Sequence, residues 1–178
     1  MIEVTDNALP EALQNEMQGY LSNAAWNFGS VSSLVAKSYP YWYRNFGGFN
    51  SNNTDDCAAE VASEAPVIAK VWDQIALPGH KLVRCYANGY PYGSEGTAHR
   101  DSSDPNDRTM MIYANHVWDH SWAGETMFLS EDLDIARAVL PRPNRMVVFQ
   151  SAIPHVARGI SRLCPMLRIT LMFKTKPA

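Results

Sequence analysis

From Lys81 to the C-terminus the sequence is a succession of short runs rich in β-branched and aromatic residues, separated by Gly, Pro and Asn. That texture restricts the fold more than any other feature of the chain. Strands are expected near residues 81–87, 107–114, 124–129, 136–140, 145–150, 155–159 and 167–174. Gly89, Gly93, Gly96, Pro105-Asn106-Asp107 and Pro141-Arg142-Pro143-Asn144 punctuate them. Helices followed by many short strands at regular spacing point to a mainly β fold, a sandwich or jelly roll with helices packed on one side.

The first 80 residues read differently. A short strand, Ile2-Glu3-Val4, leads to a turn at Asp6-Asn7, and a helix is expected from Pro10 to about Asn23, with Leu13, Met17, Tyr20 and Leu21 at helical spacing. A second helix, capped by Thr54 or Asp55, is expected to run to about Gln74, with Pro66 imposing a kink or a break. Between them, residues 38–55 set Tyr39, Tyr41, Trp42, Tyr43, Phe46 and Phe49 among Pro40, Gly47, Gly48 and several Asn. This stretch is either a loop pinned to the core by its aromatic rings or a lid facing substrate. The expected organisation is one domain over 1–178, with a helical buttress and aromatic loop in 1–80 and the jelly-roll core in 81–178.

Composition excludes several function classes. With 46% apolar and 19% charged residues the chain is globular, and a net charge of -3 does not recommend nucleic acid as a partner. Cys57, Cys85 and Cys164 are odd in number and widely spaced, against a disulfide framework or a thiolate zinc site. They read as buried small residues, Cys164 the most exposed of them. No apolar run approaches membrane-spanning length and Met1-Ile2-Glu3-Val4 lacks a signal pattern, so no membrane partner and a cytoplasmic setting are expected.

The chemistry-bearing residues lie in the strand-rich part. In His99-Arg100-Asp101, a His and a carboxylate two positions apart share one face of an extended strand. The pair alone is weak, since His-x-Asp also occurs in surface turns, but it sits between two expected strands. His155, directly after the expected strand at 145–150, supplies a third ligand. Two imidazoles and a carboxylate make the facial triad that holds non-haem Fe(II) and leaves positions open for substrate and O2. Arg168 falls within the alternating run Leu167-Arg168-Ile169-Thr170-Leu171-Met172-Phe173, where a cation needs an anionic partner. A triad followed by a buried cation suggests a carboxylate-bearing co-substrate. His116 and His120, beside Trp118 and Trp122, read as a surface turn, and His80 as structural.

Six features in order resemble the Fe(II)/2-oxoglutarate-dependent dioxygenases, and within them the prolyl 4-hydroxylase-like branch. They cover about Val83 to Thr175: Arg84-Cys85-Tyr86-Ala87-Asn88-Gly89, His99-Arg100-Asp101, Ile112-Tyr113-Ala114-Asn115, Trp118 through Gly124-Glu125-Thr126, Pro143 through Phe149, and Arg168-Ile169-Thr170-Leu171. The resemblance implies a double-stranded β-helix and a hydroxylase that releases succinate and CO2. It implies His99, Asp101 and His155 as iron ligands. Arg168 would pair with the C5 carboxylate of 2-oxoglutarate, with Tyr113, Thr170 and Tyr86 in support. Ala123 stands where the branch has Gly, and thirteen positions separate His155 from Arg168, more than is common there. The extended turn Arg162-Leu163-Cys164-Pro165 makes Arg162 or Arg158 rival clamps. Alternation favours Arg168, which it places opposite Ile169 and Leu171.

For the substrate, the resemblance implies a prolyl residue in a peptide or protein; a free amino acid or another small metabolite is the alternative. Arg100, Tyr92, Trp42 and Tyr43 are candidate substrate contacts, and Tyr90 borders the same motif. Two readings from other classes remain: a jelly-roll module that binds metal or ligand without turnover, and a cupin-type hydrolase or isomerase, which leaves Arg168 unexplained.

Overall fold

Alternation along ten strands decides the architecture. The computed structural model describes residues 1–32, 39–49 and 52–178. In chain order the elements are β1 (Ile2–Thr5), α1 (Glu11–Ser22), β2 (Asn27–Ser30), β3 (Tyr41–Gly47), α2 (Ala58–Glu64), α3 (Pro66–Ile75), β4 (His80–Tyr90), β5 (Arg108–Tyr113), β6 (Thr126–Leu129), β7 (Ile135–Val139), β8 (Met146–Gln150), β9 (His155–Ala157) and β10 (Arg168–Pro177). A large sheet has the order β1-β8-β5-β10-β4-β3-β2 and a small one β7-β6-β9. Neighbours are antiparallel throughout. The fold is a double-stranded β-helix, as expected.

The two faces of the large sheet have separate tasks. Leu82, Cys85 and Ala87 of β4, Met110 and Ile112 of β5 and Leu171 and Phe173 of β10 pack against Met17 and Leu21 of α1 and Ile68, Val71 and Trp72 of α3. The intervening residues face the small sheet, where Met111, Tyr113, Val147, Phe149 and Met172 meet Phe128 and Val139. Burying apolar area on one face frees the other to carry polar side chains in the space between the sheets.

The N-terminal half agrees with expectation at Pro66 and departs from it in three places. Pro66 does break the second helix: Ala65 adopts φ -148° and ψ 77°, and Pro66 opens α3 at a position where its missing N–H costs nothing. The cap is neither Thr54 nor Asp55; instead Asp56 Oδ1 accepts from the Ala58 N–H at 2.8 Å. The middle of the expected aromatic loop, with four of its six aromatic rings, is a strand, β3, registered on β4 through Trp42 opposite Gly89 and Tyr43 opposite Asn88. Ser38, Asn50 and Ser51 lie outside the described residues. Short β2 was not anticipated, because its four mostly exposed residues carry no apolar period. All three cysteines are buried as expected, Cys164 the most exposed of them at 8%, its thiol 3.3 Å from the Met166 carbonyl.

Candidate active site

A cavity of about 310 Å³ lies between the two sheets. Its floor is a stripe of paired residues from two central strands. Antiparallel register sets Arg168 opposite Tyr90, Thr170 opposite Asn88, Met172 opposite Tyr86 and Lys174 opposite Arg84. All eight line the cavity. Spacing by two along each strand is what brings them to one face.

His99, Asp101 and His155 stand over this stripe, with one ligand atom from each within 4.8 Å of the others. The pair His99 and Asp101 is not on a continuous strand. One β-bridge holds His99, its N–H donating to the His155 carbonyl at 3.0 Å and its carbonyl accepting from the His155 N–H at 2.9 Å. Asp101 follows in a bend, where its N–H donates to the Ser151 carbonyl at 2.9 Å. Each imidazole donates Nδ1–H to a nearby carbonyl, His99 to Thr97 at 2.8 Å and His155 to Ile153 at 2.9 Å. That fixes the tautomer and leaves both Nε2 lone pairs directed at Asp101, at 3.6 and 3.5 Å. Burial pushes His155 down to about 4, which keeps its imidazole neutral near pH 7. Despite its own burial, Asp101 is held well below the usual carboxylate range by the Lys174 ammonium and the two imidazoles. The Thr109 hydroxyl donates to Asp101 at 2.7 Å. Two oriented imidazoles and an ionised carboxylate suit a divalent first-row metal.

At one end of the stripe Arg168 is 1% exposed. Its Nε donates to the Gly124 carbonyl at 2.5 Å and one terminal nitrogen to Thr126 Oγ1 at 2.7 Å. The rings of Tyr113 and Tyr90 flank the guanidinium at 5.2 and 5.8 Å. No carboxylate pairs with it among the described residues. A buried guanidinium of this kind is an incomplete site, whose missing component is an anion. Gly124, at φ 80°, makes the close approach possible, since a Cβ there would lie 3.1 Å from Arg168 Cδ.

The remaining sequence-derived candidates divide. Tyr86, Thr170, Tyr43 and Arg100 line the cavity. Burial raises the Tyr86 phenol well above its ordinary range, so it stays a donor. Arg100 reaches outward to Glu131 at 2.8 Å. Tyr113 does not line the cavity: its hydroxyl, 2.9 Å from both Thr126 Oγ1 and the Val139 carbonyl, is already engaged behind Arg168. Tyr92 is 63% exposed, and Trp42 packs on Phe28 outside the cavity. Arg158 pairs with Glu95 at the surface and Arg162 is exposed, so neither reaches the cavity. His116 and His120 are exposed, as expected.

Lys174, Asn88 and Met172 were not singled out from the sequence, and Arg84 appeared only inside a motif. The signal was present as polar residues at alternate positions, interrupted only by Met172, in Arg84-x-Tyr86-x-Asn88-x-Tyr90 and Arg168-x-Thr170-x-Met172-x-Lys174.

Solved structures similar in fold include a prolyl-4-hydroxylase from Pseudomonas putida, 17% identical over 99% of this chain and 92% of that one, at a TM-score of 0.63. A prolyl hydroxylase from Trichoplax adhaerens, in complex with a hypoxia inducible factor peptide fragment, is 15% identical over 99% and 83%, at 0.63. HygX from Streptomyces hygroscopicus, with nickel, 2-oxoglutarate and hygromycin B bound, is 11% identical over 99% and 82%, at 0.63. At these identities the likeness is one of fold. No curated protein matches the sequence. Among the described residues no helix is long and apolar enough to cross a membrane. The family model of the 2OG-Fe(II) oxygenase superfamily matches residues 83–172, half of the sequence and the part that carries both the triad and Arg168, and the chain belongs to that superfamily.

Proposed function

We propose that this enzyme hydroxylates an unactivated C–H bond, with His99, Asp101 and His155 holding Fe(II) and Arg168 holding the C5 carboxylate of 2-oxoglutarate. The observation that carries the reading is the buried guanidinium of Arg168, without a carboxylate partner among the described residues, in the same cavity as the triad. Fe(II) with 2-oxoglutarate and O2 supplies the oxidising power, and succinate and CO2 are the co-products. The chain's own contribution is placement. Nδ1–H donation to Thr97 and Ile153 aims the two imidazoles, Thr109 steadies Asp101, and Gly124 and Thr126 hold the guanidinium fork. Thr170 and the protonated Tyr86 offer hydroxyls along the way. Burial of the stripe between the sheets keeps water from competing for these groups.

The whole chain, 1–178, acts in this reading as one domain, with β1 tied to β8 across the sheet. The substrate is a small molecule or a peptide, since HygX is named with hygromycin B and the Trichoplax enzyme with a peptide. A prolyl ring remains the leading target from the sequence motifs.

Anaerobic titration of the Fe(II)-loaded protein with 2-oxoglutarate is the test. A saturable visible charge-transfer band is expected in the wild-type protein, and none in His155→Ala. Iron binding without a band would overturn the reading in favour of a binding module.

A further inference from the structure

The end of the stripe remote from Arg168 carries two cations that the reaction so far leaves without a task. Lys174 and Arg84 are cross-strand partners, so their side chains emerge together on the cavity face. Both line the main cavity and also a second one of about 370 Å³ that shares Tyr86 and Asp101 with it. Like charges directly opposite one another weaken a sheet. Here the arrangement is also poorly compensated. The Arg84 guanidinium has no carboxylate partner among the described residues; its Nε is buried with no hydrogen-bond partner, and the group lies 4.6 Å from the Tyr86 ring centroid. The Lys174 ammonium rests on Asp101, with Thr109 Oγ1 at 3.3 Å and the Tyr86 ring at 5.9 Å.

Charge accounting shows what is missing. This step rests on the oxygenase reading. The charge of the metal is met by Asp101 and the C1 carboxylate of 2-oxoglutarate, and the C5 carboxylate is met by Arg168. Arg84 then has no carboxylate partner among the described residues, and Lys174 has only Asp101, which it shares with the metal. Six positions along an extended strand separate Lys174 from Arg168, roughly 20 Å. A five-carbon co-substrate cannot serve both ends.

We propose that Arg84 and Lys174 form a subsite for an oxyanion on the primary substrate, so that the enzyme acts on a small anionic molecule. An internal prolyl residue of a peptide chain has no charge of its own to offer there. The anion is a carboxylate, as in a free amino acid or the last residue of a chain, or a phosphate monoester. Either takes the guanidinium fork and an ammonium together. The Tyr86 phenol, between the two cations, is a further donor to it.

The test uses the Fe(II)- and 2-oxoglutarate-loaded protein under anaerobic conditions. It is titrated with the proteinogenic L-amino acids and their amides, with small phosphate monoesters and their parent alcohols, and with a proline-containing peptide blocked at both ends. Binding is read by calorimetry and by perturbation of the visible band. At least one anion is expected to bind tenfold or more tightly than its neutral counterpart. The arm it comes from identifies carboxylate or phosphate, and peptides ending in the same free acid distinguish a chain terminus from a free molecule. Arg84→Gln should weaken that binding tenfold or more with the 2-oxoglutarate band still formed, Lys174→Met should weaken it likewise when measured at saturating Fe(II), since Lys174 also touches Asp101, and Arg84→Lys should retain part of the affinity. Neutral and anionic compounds binding alike, the blocked peptide binding best, or undiminished affinity in both variants would overturn the subsite. Absence of the band in the wild-type protein would overturn the oxygenase reading, and the subsite with it.

Discussion

Arg168 shows how a single residue records an absent partner. Its guanidinium is buried against Gly124, Thr126 and two aromatic rings, and nothing anionic among the described residues repays its desolvation. The buried cation therefore costs stability in the ligand-free protein and, under the proposed function, returns it when the co-substrate arrives. Arg168→Met should leave the melting temperature of the ligand-free protein unlowered. The same change should weaken 2-oxoglutarate roughly a hundredfold, from about 3 kcal/mol for losing one member of a buried charge pair. Calorimetric titration with metal content measured in parallel checks both. If Arg162→Met has that effect instead, the clamp is misassigned.

At the scale of the element, the turn before β6 places Arg168's carbonyl partner. Ala123 there adopts φ 55° and ψ -138°, a conformation that favours glycine, and Gly124 follows at φ 80°. The superfamily branch that the sequence resembles has Gly at the first of these positions, and backbone strain is a physical reason for it. Ala123→Gly should stabilise the protein by about 1 kcal/mol, the relief of strain exceeding the entropic cost of glycine. Chemical denaturation would show it as a higher midpoint at unchanged slope; a lower midpoint would mean that the Ala123 methyl contributes more packing than the turn costs.

At the scale of the whole molecule, triad and clamp come from separate elements: His99 and Asp101 from the segment after β4, His155 from β9, Arg168 from β10. A metal and 2-oxoglutarate that bridge these elements bind only the folded state. With each at a hundred times its dissociation constant, each should add about 2.7 kcal/mol and the two together about 5 kcal/mol, or roughly 10–20 °C in melting temperature for a chain of this size. Scanning fluorimetry with and without both additives, using an inert divalent metal, measures it; no shift would argue against a preformed site. The strand succession, the convergence of His99, Asp101 and His155 and the burial of Arg168 were legible in the sequence, because spacing by two and punctuation by Gly and Pro are local properties of a chain. Identity of β3 as a strand was not legible, since its aromatic residues match a pinned loop equally well until β4 lies beside it. Nor was the engagement of Tyr113 behind Arg168. The pairing of Arg84 with Lys174 was likewise decided only by the fold, because they are ninety positions apart and meet through the register of two strands. Periodicity tells which side chains share a face of one strand; which strands adjoin, and so which charges must face one another, is settled only when the sheet closes.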